Sequence, residues 1–366
     1  MKLKQIEKQL KRYLSYINPS ARRAYKELLS KRKLDFRPEK TNGVLVFRPY
    51  GEYWHGDMGR YVYLFVKAFA NADYQIVFYP EYGFLARLDK YKKLLLNYNF
   101  KISDHFQIPK DSVYFPEYDQ VFLIKEAAPK ASLSFSTTLQ PIPYMMHPKI
   151  YESGIDKRLA ELRKNERSGR VLFAGNLNPK SYSGGNVQKL YQKEARFSLV
   201  DYVRDKLPQD RLRKINLVSE LDEQEQRSKF TLVDTGKISI PFENWLSTLS
   251  AFDFFLAAPG TDMPMCHNAV EAMAVGCIPI LEYSEYFHPA LKDGINCISF
   301  KSKEDLLLKL EGVFSMPLSL IENMRKEVIT YYETYLSPQL WASNLVRTKE
   351  NNTKLVFNSW KVPEYH

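Results

Sequence analysis

A chain of 366 residues is longer than one hydrophobic core usually serves, so two domains with separate cores are expected. Its formal charge of +11 is lopsided: residues 1–33 hold eleven Lys or Arg against two Glu, a local +9 that leaves only +2 for the rest, which excludes a nucleic-acid-binding body. Three cysteines, Cys266, Cys277 and Cys297, are too few and too scattered for a disulfide framework or a metal knuckle and read as buried thiols in a reducing compartment, while no apolar run has the length of a membrane span or a signal peptide.

In chain order, residues 1–36 form a basic helical extension. Leu3, Ile6, Leu10, Leu14 and Ile17 share one helical stripe, with Lys4, Lys8, Lys11 and Arg12 around it, and Ser20 after Pro19 is placed to cap a second helix. Two readings stay open: an amphipathic arm on an anionic membrane surface, where each Lys or Arg contributes about 1 kcal/mol, or a helix docked on protein.

Residues 37–155 read as a first α/β domain. A buried strand at 43–47 runs into the loop RPYGEYWHGDMG, followed by a helix over 61–69 and strands at 75–79 and 120–124. The loop glycines miss the dinucleotide spacing. His55 and Asp57 within it are each suited to act as general base; the plain alternatives are a packed histidine and a helix-capping aspartate. The stretch QPIPYMMHPKIY, residues 140–151, with three prolines and His147, has the composition of a linker.

Residues 156–335 read as a second α/β domain, with 336–366 as a return helix and tail. A strand at 170–174 leads into GNLNPKSYSGG and a helix-like run over 187–206. The backbone around Gly175 and Asn176 can wrap an anion, with Lys180 as counter-charge. There is no Walker pattern and no Asp-x-Asp, so no metal site is expected. Further on, after a helix at 245–250, residues 251–282 give a strand at 254–258, a polar loop 260–268, a helix of small side chains closed by Gly276, and a strand at 278–281: the parallel crossover of an open sheet. Ligands in such sheets lie at the carboxyl ends of the strands, here beside a helix N-terminus. Glu271 shares a helical face with His267.

Glu271-Ala272-Met273-Ala274, Gly276 and Ile278-Pro279-Ile280 resemble the E-A-x-A-x-G-x-P-[VI] block of GT-B glycosyltransferases. The resemblance implies two Rossmann-like domains facing across a cleft, with Glu271 on the ribose of a sugar nucleotide. Met263 stands where many retaining members carry a second glutamate, which leaves Asp262, His267 and Asn268 for the sugar and phosphate contacts and favours inversion. The loop holding His55 and Asp57 corresponds to one that often meets the acceptor.

The expected function is therefore metal-independent transfer of a sugar from a nucleotide sugar, itself substrate and not cofactor, to a glycan or lipid-linked hydroxyl in surface polysaccharide or glycoconjugate synthesis. The expected setting is the cytoplasm, at the inner membrane face on the membrane reading of the arm, with no nucleic-acid partner. A sugar-nucleotide epimerase of the same fold and a non-catalytic nucleotide-binding scaffold are the alternatives.

Overall fold

A computed structural model describes residues 19, 22–23, 26–27, 30, 42–47, 59–78, 90–102, 112–114, 138–222, 226–261, 263–348 and 353–357. His55, Asp57, Asp262, the segment 120–124 and most of the arm 1–36 lie outside them. The chain divides into two compact units, Met1–Ile142 with Pro338–Phe357, and Pro143–Ser337 with Asn358–His366. Among the described residues no helix is long and apolar enough to cross a membrane.

The first unit carries β1 (Gly43–Phe47), α1 (Gly59–Asn71), β2 (Tyr74–Phe78), α2 (Lys90–Leu95), β3 (Phe100–Ile102) and β4 (Ser112–Tyr114). Among the described residues these four strands form one parallel sheet, in the order β3-β2-β1-β4. Helix α1 is apolar almost all round and is correspondingly buried from Tyr61 to Phe69. Its one buried charge, Lys67, snorkels to the Tyr98 hydroxyl at 3.0 Å. The helix Pro338–Thr348 packs here, with the Trp341 ring edge-on to Phe65 and Phe69 at 6.2 Å each. Residues expected to be a linker instead form β5 (Thr138–Ile142), paired in parallel with Thr353–Phe357. Beyond β5, Pro148 takes the first turn of α3 (Pro148–Ser153), where its missing N–H costs nothing, and the His147 side chain caps that helix.

The second unit contains α3, β6 (Gly169–Gly175), α4 (Pro179–Tyr182), α5 (Asn186–Tyr191), α6 (Arg196–Lys206), β7 (Leu212–Lys214), β8 (Gln226–Asp234), α7 (Trp245–Ser250), β9 (Phe252–Leu256), α8 (His267–Ala274), β10 (Ile278–Leu281), β11 (Ile298–Ser299), α9 (Lys303–Phe314) and α10 (Leu318–Tyr331). All six strands are parallel, in the order β11-β10-β9-β6-β8-β7. Strands β6, β9 and β10 are buried along their whole length, as sheets covered on both faces must be. From β6 the chain runs to the edge strand β7 and back to β8 on one side, then crosses to β9 and winds outward through β10 to β11 on the other, so the switch in strand order falls between the neighbours β6 and β9. The protein is thus an α/β chain of parallel sheets flanked by helices.

Two local features set up the site. The helix expected over 187–206 is broken into α5 and α6 because Gln192 takes a left-handed conformation (φ 53°) at the end of α5, which turns the chain and starts α6 at Arg196. Helix α8 ends in a Schellman motif: the Gly276 N–H donates to Met273 O at 3.0 Å and the Cys277 N–H to Ala272 O at 2.9 Å, with Gly276 at φ 77°. That stop sends the chain straight into β10.

Candidate functional site

A cavity of about 460 Å³ opens at the carboxyl ends of β6, β8 and β9, the switch point of the second sheet. Gly175 and Asn176 contribute from the end of β6, Thr235 from the end of β8, and the first turn of α8 from beyond β9. Gly175 is confined: a Cβ there would stand 2.9 Å from the Phe173 ring and 3.7 Å from Arg196 Nη1.

Glu271 is the most enclosed residue of the wall, with 1% of its side chain exposed. Three donors from three elements converge on it. The His147 N–H (2.9 Å) and His267 Nδ1 (2.9 Å) reach Oε1, and the Trp245 indole N–H (2.6 Å) reaches Oε2. Burial is the largest influence on its pKa and pushes it up; the His267 charge and the three hydrogen bonds together outweigh burial and hold the carboxyl below its ordinary value. An ionised carboxylate only accepts, so His267 donates from Nδ1 and keeps Nε2 for other partners. The His147 ring lies edge-on to His267 at 5.3 Å, and its Nδ1 accepts the Lys149 N–H at 3.1 Å.

The cation of the cavity is Arg196, a residue the sequence reading did not single out. It is 8% exposed. Its Nε donates to Pro259 O at 3.0 Å and its guanidinium stacks over the Tyr182 ring at 4.3 Å. Among the described residues no carboxylate pairs with it. Arg196 shares the cavity with the start of α8, where Cys266 provides no side-chain cap and no acidic residue occupies the first turn. Lys149, exposed and 5.8 Å from the Phe242 ring, adds a second positive charge, and Phe242 and Trp245 supply aromatic wall.

The structure therefore brings together Gly175, Asn176, His267, Asn268 and Glu271. Lys180 does not line the cavity: it sits exposed on α4, with its N–H capped by Asn178 Oδ1 at 3.0 Å. Much of the loop 175–185 is spent on its own caps, since Asn176 Oδ1 takes the Asn178 N–H at 2.8 Å and Asp234 Oδ1 the Leu177 N–H at 3.1 Å. His147, which the sequence left open between a cleft residue and a structural linker histidine, lines the wall. A sequence signal for Arg196 existed: it begins the stripe Arg196, Leu199, Val200, Val203, an arginine at an otherwise apolar i, i+3, i+4, i+7 position. Among the described residues, no group of three or more His, Cys, Asp or Glu is arranged to hold a metal ion.

No protein-family model matches the chain, and no curated protein matches it. Among solved structures it is similar to a glycosyltransferase from Rickettsia africae, with 11% identity, a TM-score of 0.36, and 83% of this chain and 96% of that one covered. It is also similar to the N-terminal domain of trehalose-6-phosphate phosphatase from Candida albicans, with 12% identity, a TM-score of 0.34, and 88% and 72% covered. At such identity and TM-score neither likeness carries an activity over to this chain.

Proposed function

We propose that the cavity of the second unit binds the nucleoside diphosphate portion of a nucleotide sugar, and that the protein is a glycosyltransferase of GT-B type. The observation that carries the reading is Arg196, a buried guanidinium that no carboxylate among the described residues pairs with, in a cavity shared with an uncapped helix N-terminus. An unpaired buried cation is costly, and a phosphate ligand supplies the missing charge in the bidentate geometry a guanidinium favours. Phe242 and Trp245 offer flat apolar surface to a base, and His267 and Asn268 polar contacts to phosphate or sugar.

In this reading Arg196 and the α8 N–H groups stabilise the departing diphosphate, taking the part that a metal ion plays elsewhere. Asp57 or His55 is the proposed base for the acceptor hydroxyl. The C1–O bond to phosphate breaks with its electron pair going to the diphosphate, and the C1–O bond to the acceptor forms as the acceptor proton passes to that base.

The test is a thermal-shift titration with UDP-, GDP-, dTDP- and CMP-sugars in EDTA. Stabilisation that grows with ligand concentration is expected for at least one donor. Absence of any shift across the panel would remove the nucleotide reading, and isomerisation of a donor without acceptor would replace transfer by epimerisation.

A further inference from the structure

We infer that Glu271 is a positioning residue: it acts on the ligand through His267, by fixing the Nδ1 proton and the ring orientation so that Nε2 is presented to the cavity. The resemblance to glycosyltransferases gives this carboxylate a direct ribose contact; the geometry points elsewhere. Direct contact needs an accessible oxygen, and here 1% of the side chain is exposed. Oε1 already holds two donors at 2.9 Å and Oε2 one at 2.6 Å. His267, by contrast, is 32% exposed.

The ring of His267 is held by two contacts. Its Nδ1 is tied to Glu271, one helical turn ahead on α8, and one side packs edge-on to the His147 ring, which is itself fixed by the Lys149 N–H. Glu271 also ties the His147 backbone and the Trp245 indole to α8, so one carboxylate fixes three elements around the cavity. The tautomer logic is that of any histidine whose other nitrogen is set by a carboxylate partner. Only the identity of what Nε2 meets, a phosphate or sugar oxygen, rests on the nucleotide reading; the geometry of the pair stands without it.

The experiment uses the full chain. Long-range proton–nitrogen spectra of the imidazoles are recorded for the wild type, for H267Q, which assigns His267 among the six histidines, and for E271Q. His267 is expected to show a protonated Nδ1 in the wild type and a mixture of tautomers in E271Q. An unchanged His267 pattern in E271Q overturns the inference. If E271Q fails to fold, E271D, one methylene short of Nδ1, gives the same readout.

Calorimetry with UDP and GDP and their 2′,3′-dideoxy forms then separates the two roles. H267Q should weaken binding about tenfold and E271Q at least as much, since it also releases His147 and Trp245; the double variant should lose no more than E271Q, because the His267 contact is already broken there, and the loss should persist in the dideoxy nucleotides. A loss in E271Q that disappears with the dideoxy forms, or losses that multiply in the double variant, would show a separate ribose contact and overturn it. If neither nucleotide binds the wild type, the nucleotide reading fails, and the imidazole spectra alone decide the inference.

Discussion

Replacing Arg196 with Met separates a ligand-binding arginine from a structural one. In the free protein the guanidinium contributes a charged hydrogen bond to Pro259 O, worth about 1.5–3 kcal/mol, and a stack on Tyr182, worth about 1–2 kcal/mol when partly desolvated. Against these stands the desolvation of a cation that is 8% exposed and has no carboxylate partner among the described residues, a cost of several kcal/mol. The two sides nearly cancel, so R196M should melt within a few degrees of the wild type in the absence of ligand. Ligand stabilisation should behave differently. At a donor concentration about 100 times Kd the wild type gains about 2.7 kcal/mol. Loss of a charged contact worth about 2 kcal/mol raises Kd about 30-fold, and the gain at the same concentration drops to about 0.9 kcal/mol. Paired melts with and without the best donor from the thermal-shift panel read both quantities. A large fall in the ligand-free melting temperature with the donor shift intact would refute the reasoning and make Arg196 a structural residue.

Three further outcomes are expected from the second unit. D253N should cost about 3–5 kcal/mol, measured from urea midpoints, because Asp253 is 2% exposed and pairs with both Arg170 (2.9 Å) and Arg325 (2.5 Å). G276A should cost about 1–2 kcal/mol in the same assay: the residue sits at φ 77°, and its Cβ would come within 2.9 Å of Ile329 Cδ1. Glu282 should give the stability a pH slope. Burial raises its carboxyl to about 7, against the lowering effect of the Glu194 N–H at 2.8 Å. The folded chain then keeps a proton that the unfolded chain has released, so stability is greatest below the ordinary carboxyl value, falls as pH rises from there to about 7, and is level above. E282Q should flatten this fall by on the order of 2–3 kcal/mol, read as denaturation free energies at several pH values through the window; wild-type and variant profiles that run parallel would count against it.

How much of this was written in the sequence depends on the range over which each interaction acts. The run from 251 to 282 was legible because its signals are local: an apolar strand, a turn, small side chains, a glycine stop, a second apolar strand. Even there the strand begins at Phe252, two residues before the expected start, since Asp253 is buried by arginines at 170 and 325 that no local window contains. Residues 140–151 read as linker because three prolines dominate their composition, whereas the structure uses β5 pairing at 353–357 and a proline-started helix. Lys180 was placed on the anion because it follows a glycine-rich turn; Asn176, Asn178 and Asp234 spend that turn's backbone on internal caps. Arg196 was hidden by reading one helix where Gln192 makes two.

The two ends of α8 explain why one buried arginine is structural and the other awaits a partner. Arg167 is 6% exposed and likewise pairs with no carboxylate among the described residues, but its guanidinium meets three carbonyls: Val275 O at 2.7 Å, Phe252 O at 3.1 Å and Leu249 O at 3.4 Å. Val275 follows the last turn of α8, so Arg167 lies at the negative end of that helix dipole and is favoured there without any ligand. Arg196 faces a cavity shared with the opposite, positive end. A guanidinium and a helix N-terminus repel, and neither the Cys266 cap position nor the first turn offers a carboxylate to relieve them. An anion between the two relieves both at once. The same placement gives a sign to the prediction: an acidic residue introduced at the cap, C266D, should stabilise the free protein by about 0.5–2 kcal/mol and weaken diphosphate binding, because it fills the ligand's electrostatic role. A variant that gained stability yet bound the donor as tightly as the wild type would show that the diphosphate does not lie at this end of α8.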